Sequence, residues 1–186
     1  RQEDFYVSKK VNGVWQTANP ISSVNTPGNE GAPSLSADGE IMFFASCMEM
    51  TGDYGSSDRK GYGSCDIFYA QKINGKWTKP RNAGSTINTK NWETQPSFSS
   101  DGKTLYFVRG MVARDGIKNP DIYYSVIGDD GKFSEPVRLS DNINTPMGEE
   151  SVFIHPDNQT LYFSSEGHPG MGGLDIFMSK KQADGS

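Results

Sequence analysis

Several features that large classes of protein require are missing from this sequence. Its longest unbroken apolar run, Ile41 to Ala45, is far shorter than the roughly 20 residues that a membrane-spanning helix needs. No basic segment followed by an apolar one opens the chain, so we expect any export signal to have been removed. No segment combines a 3.6-residue apolar period with helix caps, which argues against a helical domain.

Positive charge and catalytic motifs are also scarce. The net charge of -5 and the pI near 5.0 argue against nucleic acid as a partner, because phosphate binding needs clustered Lys and Arg. The sequence contains no P-loop, dinucleotide-binding fingerprint or G-x-S-x-G nucleophile motif. His155 and His168 stand alone, without other ligands at metal-binding spacing. We therefore predict no metal, no cofactor and no enzymatic activity.

One stretch of the sequence is written three times. Residues 93–107 (ETQPSFSSDGKTLYF) recur as 30–44 (EGAPSLSADGEIMFF) and as 149–163 (EESVFIHPDNQTLYF). A second block begins with Asp-Phe or Asp-Ile and recurs at intervals of 62, 55 and 54 residues, at Asp4, Asp66, Asp121 and Asp175. A fixed period of this length indicates a repeated structural unit.

Each unit is predicted to contain four β-strands, from its alternating apolar residues and its turn pairs. Strand a (33–36, 96–99, 152–155) ends in Asp-Gly or Asp-Asn, and strand b follows it (41–46, 105–109, 161–165). Strand c is the Asp-Ile block, and strand d follows an Asn-Gly or Asp-Gly turn and contains a proline, which suits an outer edge. The sequence therefore predicts an all-β chain.

A repeated four-stranded meander is the blade of a β-propeller. We predict strands c and d of one blade in 1–29, whole blades in 30–82 and 93–139, and strands a to c of a further blade in 149–180. Propellers have about 4 to 8 blades. The single predicted domain, 1–186, is thus a segment of a larger propeller or an array that is open or completed by oligomerisation.

Three motifs carry a family resemblance: INTKNWETQPSFSSDGKTLYF (87–107), SSEGHPGMGGLDIF (164–177) and GKWTKPRNAGSTINT (75–89). They resemble the WD-repeat-like propeller repeats of the TolB family. The similarity is greatest to envelope proteins of Bacteroidota that join such a propeller to helical repeats and an OmpA-like peptidoglycan-binding domain. The 186 residues contain no lipobox cysteine, helical repeats or OmpA-like domain.

The resemblance implies a periplasmic, outer-membrane-associated scaffold whose partners are other envelope proteins. Some members of the family are accessory lipoproteins of type IX secretion and gliding. Peptidoglycan would be a partner only through a domain outside these residues.

The long loops that join strand b to c (47–65, 110–120 and 166–174) and strand d to a (21–31, 83–94 and 140–149) are predicted to form the binding surface. Loops on a rigid scaffold commonly carry binding residues. Methionine adapts to varied partners and aromatic residues anchor interfaces. The predicted partner-binding residues are Met48, Met50, Tyr54, Tyr62, Trp92, Met111, Met147 and Met171. The alternative is that these side chains pack the loops onto the blades.

The glutamates of the three copies, Glu30, Glu93 and Glu149, are predicted to lie just before the innermost strand, close to the mouth of the channel. There a ring of carboxylates could hold a cation or a basic group of a partner. The interpretation that we favour is that they satisfy backbone or inter-blade hydrogen bonds.

The two cysteines, Cys47 and Cys65, stand at the end of strand b and just before strand c. Antiparallel pairing of these strands would bring the cysteines together, so we predict a disulfide at the base of the intervening loop. A disulfide would place the protein in an oxidising compartment, in agreement with the periplasm.

The leading hypothesis is a noncatalytic envelope scaffold that binds proteins through the b–c and d–a loops. One alternative is a glycan- or peptidoglycan-associated module with Tyr54, Tyr62 and Trp92 as stacking residues. The other is a propeller hydrolase that uses channel-mouth carboxylates as acid and base.

Overall fold

The computed structural model describes residues 3–48 and 53–182, and every regular element within them is a β-strand, so the all-β prediction is confirmed. The described residues include no helix of the length and hydrophobicity needed to cross a bilayer. The strands are β1 (Tyr6–Val7), β2 (Lys10–Val11), β3 (Val14–Trp15), β4 (Asn19–Pro20), β5 (Asn29–Leu35), β6 (Ile41–Cys47), β7 (Cys65–Ile73), β8 (Lys76–Trp77), β9 (Arg81–Asn82), β10 (Trp92–Phe98), β11 (Thr104–Ala113), β12 (Gly116–Val126), β13 (Val137–Arg138), β14 (Glu149–Ile154), β15 (Thr160–Ser165) and β16 (Asp175–Lys180).

Strand pairing divides the chain into an N-terminal segment and three units. In the N-terminal segment β1 pairs with β4, and β2 and β3 form a hairpin between them. The first unit is the antiparallel meander β5–β6–β7, with β8 and β9 both paired to β7. The second unit is β10–β11–β12–β13 and the third is β14–β15–β16. One parallel pair, Trp92 with Cys65, joins the first two units.

Two boundaries differ from those predicted. The first strand of each unit begins earlier, at Asn29, Trp92 and Glu149, because the segment containing the repeated Glu pairs with the end of the second strand. Residues 110–120, predicted as a loop, instead extend β11 and β12 into a projecting hairpin with Val112 opposite Ile117. Two opposed β-branched residues favour a paired ladder over a loop.

The apolar core lies between successive units. Phe5 of the N-terminal segment packs with Phe44 and Phe68 of the first unit. Phe43 of the first unit packs with residues of the second, including Phe98 at a ring-centroid distance of 4.9 Å. Val108 of the second unit shares a third cluster with side chains of the third unit. Each unit therefore depends on its neighbour to bury its faces, as in repeat architectures.

The first strands of the three units lie side by side. The backbone N–H of Phe98 donates to Ser34 Oγ (2.9 Å), and that of Ile154 donates to Ser97 Oγ (2.9 Å). A cavity of about 530 Å³ is lined by residues of 32–37, 95–100 and 152–156. These strands thus form the inner wall of the array, with the serine bonds linking one unit to the next.

The hairpin turns use the chemistry that the sequence predicts. Asn74 and Gly75 have φ of 51° and 75°, the left-handed values that Asn-Gly readily adopts in a two-residue turn. In the turn between β14 and β15, the Asp157 carboxylate accepts the N–H groups of Gln159 and Thr160 and the Thr160 hydroxyl. The bond from the Gln159 N–H, followed by those from Thr160, lowers the pKa of Asp157 from its ordinary value of 3.8.

We expect this turn to contribute to acid sensitivity. Because the folded-state pKa of Asp157 is depressed, its stabilising contribution is present above the unfolded pKa and is lost as the pH falls through the folded value. The melting temperature of Asp157→Asn should therefore fall less steeply than that of the wild type below a pH of about 4. The control is Asp129→Asn, at an exposed position. Parallel curves for the wild type and Asp157→Asn would contradict this assignment.

Candidate functional site

The three repeated glutamates occupy the same buried position in their units. Each carboxylate accepts the backbone N–H and the hydroxyl of a Thr four residues earlier, and the six distances lie between 2.6 and 3.0 Å. The pairs are Thr26 with Glu30, Thr89 with Glu93 and Thr145 with Glu149. The Thr hydroxyl in turn accepts an N–H two residues later, which fixes the turn that enters the unit.

The prediction that these glutamates line a channel mouth is wrong. All three lie inside the first strand of their units and are at most 1% exposed. Each carboxylate lies in the interior, where hydrogen bonds compensate for its lost hydration. Their geometry is that of a structural hydrogen-bond centre, the interpretation favoured from the sequence.

An arginine accompanies two of the three glutamates: Arg59 is buried, and Arg109 is partly buried. Arg109, directly opposite Glu93 in the sheet, donates from Nε to Glu93 (2.9 Å) and from Nη2 to the carbonyl of Ile87 (2.9 Å). Burial raises the pKa of Glu93, while the bonds from Thr89 and the charge of Arg109 oppose the rise. In the first unit Ser46 is opposite Glu30, and the arginine that bonds Glu30 is Arg59, from the loop between β6 and β7.

The third unit replaces the arginine with Ser165 and His168. The Ser165 hydroxyl donates to Glu149 (2.7 Å), and His168 Nε2 lies 3.0 Å from the carbonyl oxygen of Ile143. Ile87 and Ile143 each stand just before the repeated Asn-Thr pair. The carbonyl group of Ile87 contacts Arg109, and that of Ile143 contacts His168. In the first unit Arg59 Nη2 donates to the matching carbonyl, that of Val24. Arg59, Arg109 and His168 each lie against two aromatic rings. All three units therefore have a side chain that contacts both this carbonyl group and two aromatic rings, although the residue and its place in the sequence differ.

The repeated asparagines join each unit to the one before. Asn88 Oδ1 accepts the N–H of Ile67 (2.8 Å), and its Nδ2 donates to the carbonyl of the same residue (2.8 Å). Asn144 makes the same pair of bonds to Ile122, and Asn25 makes it to Phe5. Asn88 and Asn144 therefore each act as an extra strand residue on the third strand of the preceding unit, and Asn25 holds the N-terminal segment just before β1.

The repeated aspartates hold the loops between the second and third strands. The Asp66 carboxylate accepts the N–H groups of Tyr62 and Gly63, at 2.8 and 3.0 Å. Asp175 accepts the N–H groups of Met171 and Gly172 in the same way, at 2.6 and 3.1 Å. Tyr62 and Met171 therefore occupy equivalent positions, four residues before the aspartate, on loops with fixed ends.

Most of the predicted partner-binding residues are exposed. Tyr62 and Met171 are exposed, and Met171 is 99% accessible. Met48 and Met111 are also exposed. Each stands two residues after the residue that pairs with the repeated Glu across the sheet, in the first and second units respectively. Met147 is exposed just before β14. We call these five side chains, together with Ile117, the loop-end surface.

Ile117 was missed from the sequence because residues 110–120 were predicted as a loop. It stands four residues before Asp121, the position of Tyr62 and Met171 in the other units, and this spacing could have revealed it. It is exposed on the projecting hairpin, and a Cβ at position 110 would overlap its side chain, so a residue other than Gly there would displace Ile117. The loop-end surface therefore includes a side chain from the same position of every unit.

Two other predicted partner-binding residues are not part of this surface. Tyr54 is 3% exposed, donates its hydroxyl to the Gly63 carbonyl and packs against Phe68, so the prediction for it is wrong. Burial raises its pKa, and the charge of Asp66 adds to the rise. Trp92 is half-buried and packs against the core between the second and third units. Met50 lies outside the described residues.

The structure has a disulfide between Cys47 and Cys65, which face each other across β6 and β7. It closes the base of the loop that contains Tyr54 and Arg59. The loop is further fixed by Arg59, whose guanidinium is buried beside Glu30, so its centre is anchored in the core. Burial lowers the pKa of Arg59, and Glu30 opposes the change.

Metal-ligating side chains are not clustered in the part of the chain that the structure describes, where no three His, Cys, Asp or Glu could hold one ion. Buried side-chain nitrogen and oxygen atoms in 3–48 and 53–182 all have hydrogen-bond partners. The polar network of the described residues thus serves to fix the loops.

No protein-family model matches the chain, and a search of curated proteins gives no significant match. Among solved structures, TolB from Acinetobacter baumannii is similar with a TM-score of 0.58 and 18% identity, over 92% of this chain and 34% of TolB. The periplasmic gluconolactonase of Pseudomonas aeruginosa gives 0.52 and 16%, over 96% and 46%. A puromycin hydrolase gives 0.51 and 13%, over 88% and 24%.

These similarities show that the chain has a TolB-like β-propeller fold, and the chain spans less than half the length of each of these proteins. The neighbours include TolB and two proteins whose names denote enzymes. The fold is therefore shared by proteins of different activity, and function must be argued from the surface of this chain.

Proposed function

We propose that the chain is a noncatalytic binding scaffold of the bacterial envelope that holds protein partners on the loop-end surface. The proposal rests on the exposure of three equivalent side chains. Equivalent positions of successive units place exposed apolar side chains, Tyr62, Ile117 and Met171, at one end of the array. Exposed apolar groups that are rigidly held favour protein association.

The location that we propose is the periplasm, at the outer membrane. The disulfide between Cys47 and Cys65 supports an oxidising compartment. One structural neighbour is named as a periplasmic protein. The resemblance of the repeats to envelope proteins of Bacteroidota supports the finer proposal of an accessory role in type IX secretion or in an OmpA-like envelope protein.

The two alternatives depend on residues that the fold buries. Of the three proposed stacking residues, Tyr54 is in the core and Trp92 is half-buried, which leaves Tyr62 exposed for a glycan. The proposed acid and base, the three glutamates, are enclosed and already hydrogen-bonded. A catalytic group must reach its substrate, so the hydrolase alternative requires other residues.

The test is a pull-down of purified envelope proteins with the triple variant Tyr62→Ser, Ile117→Ser, Met171→Ser. We expect recovery of partners to fall by about tenfold or more, since a few apolar anchors dominate most interfaces. The matched control removes three exposed apolar residues elsewhere: Val14→Ser, Ile73→Ser, Val137→Ser. Equal recovery with both variants would contradict the proposed surface.

Two further assays separate the alternatives. Sedimentation with peptidoglycan that is lost on Tyr62→Ser alone would favour the glycan-binding module. Turnover of lactone or peptidyl substrates by the wild-type chain would contradict the noncatalytic assignment.

A further inference from the structure

In the first two units, one face of the sheet is covered by the following unit. The same face of the third unit is exposed. Ile176, the residue after the repeated Asp175, is 81% exposed. Its equivalents, Ile67 in the first unit and Ile122 in the second, are 0% exposed. The difference does not follow from residue type, because all three are isoleucine.

In the first and second units, this isoleucine is buried by the unit that follows. Ile67 is held through its backbone by Asn88, which precedes the second unit, and Ile122 is held by Asn144, which precedes the third. No asparagine of the described residues makes this pair of bonds to Ile176.

A row of side chains across the sheet shows the same contrast. In the first unit Ser34, Phe43 and Tyr69 lie opposite one another, and Phe43 is buried against Phe98 of the next unit. The equivalent row in the third unit is Phe153, Tyr162 and Met178, and all three are exposed. Together with Ile176 they form what we call the open face, which lies on the flank of the array and is separate from the loop-end surface.

We propose that the open face is a docking surface for a further repeat unit of the same class, joined after the third unit and presenting an apolar-Asn-Thr segment. Its asparagine would clamp the backbone of Ile176, as Asn88 clamps Ile67. A second copy of this chain could not bind the backbone of Ile176 through an asparagine in this way. Its three asparagines, Asn25, Asn88 and Asn144, already hold Phe5, Ile67 and Ile122.

One difference makes the open face selective. Ser34 and Ser97 accept an N–H from the first strand of the next unit, but Phe153 stands at their position and has no hydroxyl. The docked unit therefore meets a larger apolar side chain and loses one hydrogen bond. Its first strand must accommodate the Phe153 ring, which favours a small residue where the second unit has Phe98.

The experiment appends a copy of residues 83–139 after Gln182, with Phe98 of the copy changed to Ala to leave room for the Phe153 ring. It measures the rate of maleimide labelling of Ile176→Cys. We expect labelling to slow by about tenfold or more relative to the unextended Ile176→Cys chain, because docking protects the site except during local opening. Changing the copied Asn88 to Ala should restore rapid labelling. A cysteine at Met171, on the loop-end surface, should label at the same rate with and without the appended unit.

Unchanged labelling of Ile176→Cys in the extended chain would overturn the proposal. Failure of the appended unit to gain β-structure by circular dichroism would also count against it, since folding of the unit depends on a covering neighbour. Labelling of the unextended chain that slows as its own concentration rises would assign the open face to a second copy instead.

Discussion

Replacement of Glu93 by Ala is expected to lower the free energy of unfolding by about 3 to 5 kcal/mol, the usual loss when one partner of a buried ion pair is removed. The carboxylate accepts bonds from the Thr89 backbone, the Thr89 hydroxyl and Arg109, and its side chain is fully buried. Its removal leaves the Arg109 guanidinium without its anion and frees the turn before β10. Urea unfolding monitored by Trp fluorescence measures the change.

The matched control for this prediction is Glu150→Ala, since Glu150 is exposed beside Glu149. Glu93→Gln should lose less stability than Glu93→Ala, because an amide oxygen can still accept from Thr89. A Glu93→Ala protein whose free energy of unfolding is within about 0.5 kcal/mol of the wild type, the usual range of surface changes, would show that the carboxylate has no structural role.

Reduction of the disulfide is the second large effect that we expect. Cys47 and Cys65 are separated by 18 positions, and a loop of this length is stabilised by about 3 kcal/mol when closed, according to the chain-entropy account. Reduction should also loosen the loop that delivers Arg59 to Glu30. Unfolding midpoints with and without dithiothreitol give the size of the loss.

The double variant Cys47→Ala, Cys65→Ala serves as the control for reduction, since its midpoint should not respond to dithiothreitol. The pairing of Cys47 with Cys65 would be contradicted by two results together: two free thiols detected by mass spectrometry before reduction, and an unfolding midpoint that dithiothreitol does not change. The same result would remove the support that the disulfide gives to a periplasmic location.

The repeats made much of the fold predictable from the sequence. The Asp-Gly and Asn-Gly pairs marked hairpins because few residues tolerate positive φ, and Gly39, Gly75 and Gly102 have it. The start of the first strands was missed because Glu93 and its equivalents are polar, and a polar residue in a strand is unexpected until its buried partners are known. The extension of β11 and β12 was missed because Gly110 and Gly116 resemble loop residues.

The candidate site was less predictable than the fold. Arg59 occupies the position of Arg109 from a different part of the chain, and no sequence spacing connects it to Glu30. Tyr54 resembled an exposed loop aromatic, yet the anchored loop buries it against Phe68. Met48, Met111, Met147 and Met171 are exposed, as their predicted role requires, and their binding of partners stays a prediction.

Site-specific photo-crosslinking in cells shows whether the loop-end surface contacts a protein partner. A photoreactive amino acid is placed at Met171 or Ile117, and at Val137 on the outer strand β13 as the control. We expect both loop-end positions to crosslink to the same envelope protein and Val137 to give no crosslink to it. Crosslinks to a protein from Val137, with none from Met171 or Ile117, would contradict it.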